Sequence, residues 1–213
     1  MRPSNRRSGP GGGDALAALA REPLRPYYLV HGEETFLVDR ALRVLRERLL
    51  PGRSGTWRSV WADDPAQSVG AALGDLRSPS LFGGPEVLVV RHAEALRDGV
   101  QEDVLGALPA LSAGGTLVLV ARVADLRRRV FAACVRAGAA YGFPAVEPRE
   151  LPGWVTRLAR EQGSEITSPA THDLLERSGG DLGVLAGEVG KLVLRAGVGV
   201  RIEAEHVREV VKA

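Results

Sequence analysis

Three short stretches of this sequence hold residues that could do chemistry: His31-Gly32-Glu33-Glu34-Thr35-Phe36, Asp63-Asp64 and Arg91-His92-Ala93-Glu94. The first lies between an apolar run and an amphipathic one. That is the strand–turn–helix setting in which a glycine loop cradles phosphates with backbone N–H groups and a lysine, in the pattern GxxxxGK[ST]. This turn has one glycine and no lysine, and two carboxylates stand where a phosphate would sit. At ~4 Å, like charges near a protein surface repel by roughly 4 kcal/mol, which opposes a triphosphate. Glu33 and Glu34 therefore read as first-turn acids favoured by the helix dipole. A nucleotide hydrolase also needs an acidic pair for magnesium and water after a later strand; here a lone Glu94 follows and reads as a surface residue. Asp63-Asp64 precedes Pro65 and reads as turn and capping chemistry. Cys134 is the single cysteine, so no intrachain disulfide and no thiolate metal cluster can form. It reads as a small buried hydrophobe. The four histidines show no ligand spacing, and no Ser-His-Asp or Cys-His set can be assembled. These residues point to a chain without intrinsic catalysis, cofactor or metal.

The elements that would position these residues alternate. Tyr27–His31 reads as a buried strand, Glu33–Leu50 as an amphipathic helix, and Thr56–Ala62 as a strand. Val69–Leu76 reads as a short helix and Glu86–Arg91 as a strand. They are followed by a helix over Val100–Leu111, a strand over Thr116–Ala121, a helix over Arg127–Ala137 and a last short strand over Ala139–Phe143. Inner strands that are apolar throughout imply a parallel sheet with helices on both faces. After Pro144 the strand signals mostly stop. Helices are expected over Trp154–Gln162, Pro169–Arg177, Leu182–Ala196 and Ala204–Val211, with a short extended piece at Val198–Ile202. The expected organisation is a leader over residues 1–23, an α/β domain over 24–147 and a small helical domain over 148–213.

The net charge of +2 excludes a highly basic nucleic-acid coat. Arg127-Arg128-Arg129 could still touch DNA phosphates or neighbouring subunits; a solvated helix face is the plainer reading. The leader, MRPSNRRSGPGGGD, is polar and glycine-rich with no apolar region after its arginines, and reads as disordered instead of as a signal peptide. No apolar run is long enough to span a bilayer, so a soluble cytoplasmic chain is expected.

The stretch SPSLFGGP, residues 78–85, sets Leu81 and Phe82 between two prolines and a Gly-Gly pair. Neither a helix nor a ladder-paired strand should run through it. The two apolar side chains have two readings, a return to the core or an anchor for a pocket on another protein. As an anchor, the pair could contribute ~3–6 kcal/mol before association costs.

Taken in order, these segments resemble the delta subunit of the bacterial DNA polymerase III clamp loader. The resemblance begins at PYYLVHGEETFLVDRAL and continues through SPSLFGGPEVLVVR and TLVLVARVADLRRRVFAACVRAG. It then runs from ELPGWVTRLAREQGSEITSP through DLGVLAGEVGKL to VRIEAEHVREVV, about residues 24–212. It implies an AAA+-like, degenerate P-loop NTPase fold that does not hydrolyse ATP, followed by a small helical lid. It also implies a role in DNA replication as an accessory subunit of the polymerase holoenzyme, in which the chain binds and opens the ring-shaped sliding clamp. By position, Leu81 and Phe82 match the family's clamp-binding pair, preceded by Ser80. Val69–Leu76, with Val69, Leu73 and Leu76, matches the helix that supports the pair and presses on the ring. The implied partners are the sliding clamp, the other loader subunits and, through the complex, DNA. Members carry a third, collar domain after the lid, whereas this sequence stops at Ala213; a truncated product, a fragment and a reduced paralogue all fit. A nucleotide-binding regulator and an arginine-mediated DNA-binding module are the alternative readings.

Overall fold

The computed structural model describes residues 12–53, 55–76, 84–113 and 115–212. The chain divides into two compact units between Ala145 and Val146.

The first unit is built on a sheet of β1 (Tyr27–His31), β2 (Thr56–Trp61), β3 (Glu86–Arg91), β4 (Gly115–Ala121) and β5 (Ala140–Gly142). The strands run in the order β2-β3-β4-β1-β5, and every pairing is parallel. The uninterrupted apolar sequences of β3 and β4 occupy the interior of the sheet, where Leu88, Val89, Leu117 and Val118 are all buried. Parallel strands covered on both faces require that composition. β2, with its mixed sequence TWRSVW, takes an edge.

One face presents Leu29, Leu88, Val90, Leu117 and Leu119 to α3 (Val69–Leu76), α4 (Asp98–Ala107) and α5 (Arg129–Arg136). α2 (Thr35–Leu49) packs against β1 and buries Leu37, Ala41 and Leu45. α4 ends earlier than the sequence pattern suggests, giving way to tighter 3-10 turns over Leu108–Ala113. Pro109 explains this, since it lacks the N–H that would continue the α-helical hydrogen-bond ladder. Cys134 is fully buried, and burial pushes its thiol up to about 12.

The expected disordered leader is corrected over part of its length. Gly12–Arg21 forms a helix, α1, that packs on α2 and β5. Ala15 and Leu19 are buried, and Arg48 of α2 donates to the carbonyls of Leu19 and Glu22. The Tyr141 hydroxyl donates to the Glu22 carboxylate at 3.0 Å. Gly12 packs closely on the core: a Cβ there would lie 2.6 Å from Leu37 Cδ1 and 2.8 Å from Phe143 Cδ1, so those side chains would have to shift. The glycines ahead of Asp14 obscure a run, ALAALA, of strong helix formers.

The second unit consists of α6 (Leu151–Glu161), α7 (Ser168–Ser178), α8 (Leu182–Ala196) and α9 (Ala204–Val210) around Trp154, Leu158, Leu174, Leu185, Val189, Leu192 and Val207. Thr167 caps α7 through Ala170 N, and Asp181 caps α8 through Val184 N at 2.8 Å. The expected extended piece at Val198–Ile202 reduces to a single bridge between Ile166 and Ile202. Trp154 is a core residue, with the Arg157 guanidinium 4.9 Å above its ring.

Candidate functional site

The turn after β1 is closed by backbone contacts. Gly32 N donates to the Ala121 carbonyl at 3.0 Å, and Glu34 N donates to the Phe143 carbonyl at 3.1 Å. Gly32 has φ +141°, and a Cβ there would lie 1.9 Å from the Phe143 oxygen, so only glycine lets these two segments meet. Two N–H groups of the turn are thus committed to carbonyl oxygens instead of converging on an anion. α2 starts at Thr35 with Glu34 at its N-cap position, so Glu33 and Glu34 precede the first turn instead of lying within it. Burial pushes the His31 imidazole below its ordinary value.

The acids at the ends of β2 and β3 have separate roles. Asp64 accepts from Ala66 N and from the Gln67 side chain, and Gln67 in turn accepts from Trp61 N. The capping contact into α3 comes from Ser68, whose hydroxyl accepts from Ala71 N at 3.2 Å. Asp63 pairs with His92 Nδ1 at 2.8 Å, a hydrogen bond that holds the Asp63 carboxyl below its usual range. His92 has φ +53°, a left-handed conformation that is uncommon outside glycine. Glu94 is half-buried instead of simply on the surface. One oxygen accepts from Arg122 N at 3.2 Å, and the other is buried without a hydrogen-bond partner among the described residues. Among the described residues no group of three or more His, Cys, Asp or Glu could hold a metal ion.

The arginine run divides in the same way. Arg128 is structural: its guanidinium donates to the carbonyls of Glu94 and Leu96, each at 2.6 Å, and to the Gln101 amide oxygen at 3.1 Å. Arg127 forms a two-pronged pair with Asp125 at 2.9 and 3.0 Å, and Arg129 pairs with Glu102. The sequence carried no local sign of the Arg128 role, because its three acceptors lie 27 to 34 residues away.

α3 turns Val69, Leu73 and Leu76 into the core together with Leu88, Leu117 and Val104. These three residues hold the helix down and leave Gly70, Ala71, Gly74 and Asp75 exposed on its other side. That outer face is what sequence reasoning missed; its signal was the complementary set of small residues in VGAALGDL. From edge strand β2, Arg58 reaches the last turn of α3, donating to the Ala72 carbonyl and to Asp75 Oδ2, both at 2.9 Å. Ser80, Leu81 and Phe82 lie outside the described residues. The chain resumes at Gly84, with φ +94°, beside Gly55, and Thr56 N donates to the Pro85 carbonyl at 3.0 Å.

No family model matches the chain, and no curated protein matches it by sequence. Among solved structures it is similar to the DNA clamp loader delta protein of Bacillus subtilis, with a TM-score of 0.68 and 19% identity. That likeness covers 94% of this chain and 62% of that one. It is also matched with the RuvB Holliday junction branch migration motor of Thermotoga maritima, at a TM-score of 0.47 and 16% identity, over 93% and 65% of the two chains. The fold is the AAA+-like arrangement of a parallel sheet flanked by helices, clamp-loader-like in its similarity to the first of these. No helix among the described residues is long and apolar enough to cross a membrane.

Proposed function

We propose that this chain is a clamp-loader subunit of the delta type, which binds a sliding clamp and holds it open for loading onto DNA during replication. The observation that carries the reading is α3. The core anchors it through Val69, Leu73 and Leu76, and it leads directly toward the sequence that contains Leu81 and Phe82. The clamp-loader-like fold supports the same reading. In this proposal Leu81 and Phe82, preceded by Ser80, enter an apolar pocket on the ring, and the outer face of α3 meets the ring surface beside that pocket. Opening requires tighter binding to the open ring than to the closed one. The contacts of this chain supply that difference, and no ATP hydrolysis of its own is involved. The closed turn at Gly32–Glu34 supports that last point, because its donors face carbonyls. The partners in this reading are the clamp, the other loader subunits and DNA through the assembly, in the cytoplasm.

Binding of the full chain to the host's sliding clamp, beside Leu81→Ala/Phe82→Ala, tests the proposal, with circular dichroism on both proteins. A folded double variant that loses a hundredfold or more in affinity is the expected result. Equal binding by both proteins removes the anchor. Absence of binding by the folded wild type removes the reading.

A further inference from the structure

The arginine run at 127–129 is engaged by Asp125, by backbone carbonyls and by Glu102, but two arginines of α2 are arranged differently. Arg43 and Arg46 stand three residues apart on one side of the helix, about 4.5 Å along its axis. Neither has a carboxylate within ion-pair distance among the described residues, whereas Arg58, Arg127 and Arg129 each do. With Glu47, Leu50 and Trp57 they line an open pocket of about 510 Å3 between the end of α2 and the start of β2. Trp57 is half-buried, and the Arg46 guanidinium lies 5.8 Å from the centre of its ring.

We propose that this pocket binds a segment of single-stranded nucleic acid, with phosphates against Arg43 and Arg46 and a base on the Trp57 ring. Two cations kept close with no carboxylate in ion-pair contact repel one another, and a bound anion relieves that repulsion. The Arg46 guanidinium lies over the indole, so a base stacks on that face as Arg46 turns from the ring to the phosphate, and stacking of this kind is how sequence-tolerant single-strand sites are built. A duplex keeps its bases stacked on one another and cannot deliver one into a pocket. Glu47 and the carbonyl end of α2 act against the anion. The site is therefore weak and strongly salt-dependent, and Glu47 limits its affinity.

The test is fluorescence anisotropy of a labelled short oligothymidylate with the full chain, from low to physiological salt, with thermal unfolding of each variant. The wild type binds at low salt. Arg43→Gln/Arg46→Gln loses roughly tenfold or more, and its dependence on log salt flattens by about 1.4, the value for two single-strand phosphates. Trp57→Leu loses roughly tenfold with the salt slope unchanged, and Trp57→Phe recovers most of that loss. Glu47→Gln tightens binding. Wild-type affinity and slope in the double-arginine variant overturn the proposal, as does the absence of wild-type binding at low salt. Equal competition by a duplex of the same length overturns the stacking role of Trp57. If Trp57→Leu unfolds, the arginine, Glu47 and Trp57→Phe variants decide the matter.

Discussion

Arg58 and Asp75 join the edge of the sheet to the last turn of α3 through a contact of 2.9 Å, and the same guanidinium also holds the Ala72 carbonyl. A cation at the carbonyl end of a helix satisfies orphan acceptors and complements the dipole. Both side chains are more than a third exposed, so the pair itself adds at most about 1 kcal/mol to stability. Its effect should appear in the placement of α3. Arg58→Ala should leave the urea midpoint nearly unchanged while weakening clamp binding several-fold, measured by surface plasmon resonance on the same preparations. Unchanged clamp affinity would dissociate the pair from that role.

The two sides of α3 should respond oppositely to substitution. Leu73→Ala removes a buried side chain and should cost about 2–5 kcal/mol in chemical denaturation. Gly74→Leu adds bulk where a Cβ meets nothing within 4 Å, and replacing a mid-helix glycine should stabilise the helix by up to ~1 kcal/mol. If the outer face meets the clamp, Gly74→Leu should nevertheless bind it at least tenfold more weakly. A stable Gly74→Leu chain with full clamp affinity would exclude that face from the contact.

Gly32→Ala should be among the most damaging single changes in the first unit. Its Cβ would collide with the Phe143 carbonyl, and the positive φ adds strain. We expect a loss of more than ~3 kcal/mol in the unfolding free energy, because neither backbone segment can yield without breaking a parallel pairing.

The Asp63–His92 pair makes an acid-side prediction. The folded-state carboxyl lies below its ordinary value because it accepts a hydrogen bond from His92. Its contribution is therefore present above the unfolded aspartate pKa of about 3.9 and is lost as pH falls through the lowered value. In His92→Ala the Asp63 titration, followed by carboxyl NMR, should move back up toward the ordinary range, and the thermal-stability profile should lose the share of its acid limb that this lowered carboxyl supplies. An unmoved Asp63 titration would refute the assignment.

α1 should behave as part of the fold. Leu19→Ala should destabilise the first unit by about 2–5 kcal/mol, and Arg48→Ala should also destabilise it, since Arg48 holds the carbonyls of Leu19 and Glu22. Hydrogen exchange over residues 12–21 in the wild type should be protected to the level of neighbouring α2.

The local sequence determined a good part of this fold. Leu117 to Ala121 is apolar on both sides of a strand, which is physically tenable only in the interior of a sheet covered on both faces, and β4 lies there. Val69–Leu76, Glu86–Arg91 and Leu182–Ala196 have the bounds their patterns indicate, because apolar period and flanking breakers agree at each. The lack of a lysine and the paired carboxylates after β1 were likewise legible from residue types alone. Only the tertiary structure decided the rest, because it depends on groups far apart in sequence. ALAALA became α1 because Leu37, Arg48, Tyr141 and Phe143 provide the surfaces and hydrogen bonds that a short helix lacks alone. Arg128, at the N-cap of α5, and Arg43, within α2, are the same residue type. Three acceptors from a folded neighbour engage one, whereas the other lines a pocket formed where α2 ends beside β2. Residue type limits what a side chain can do, and the partners that decide among those possibilities arrive only when distant segments pack together.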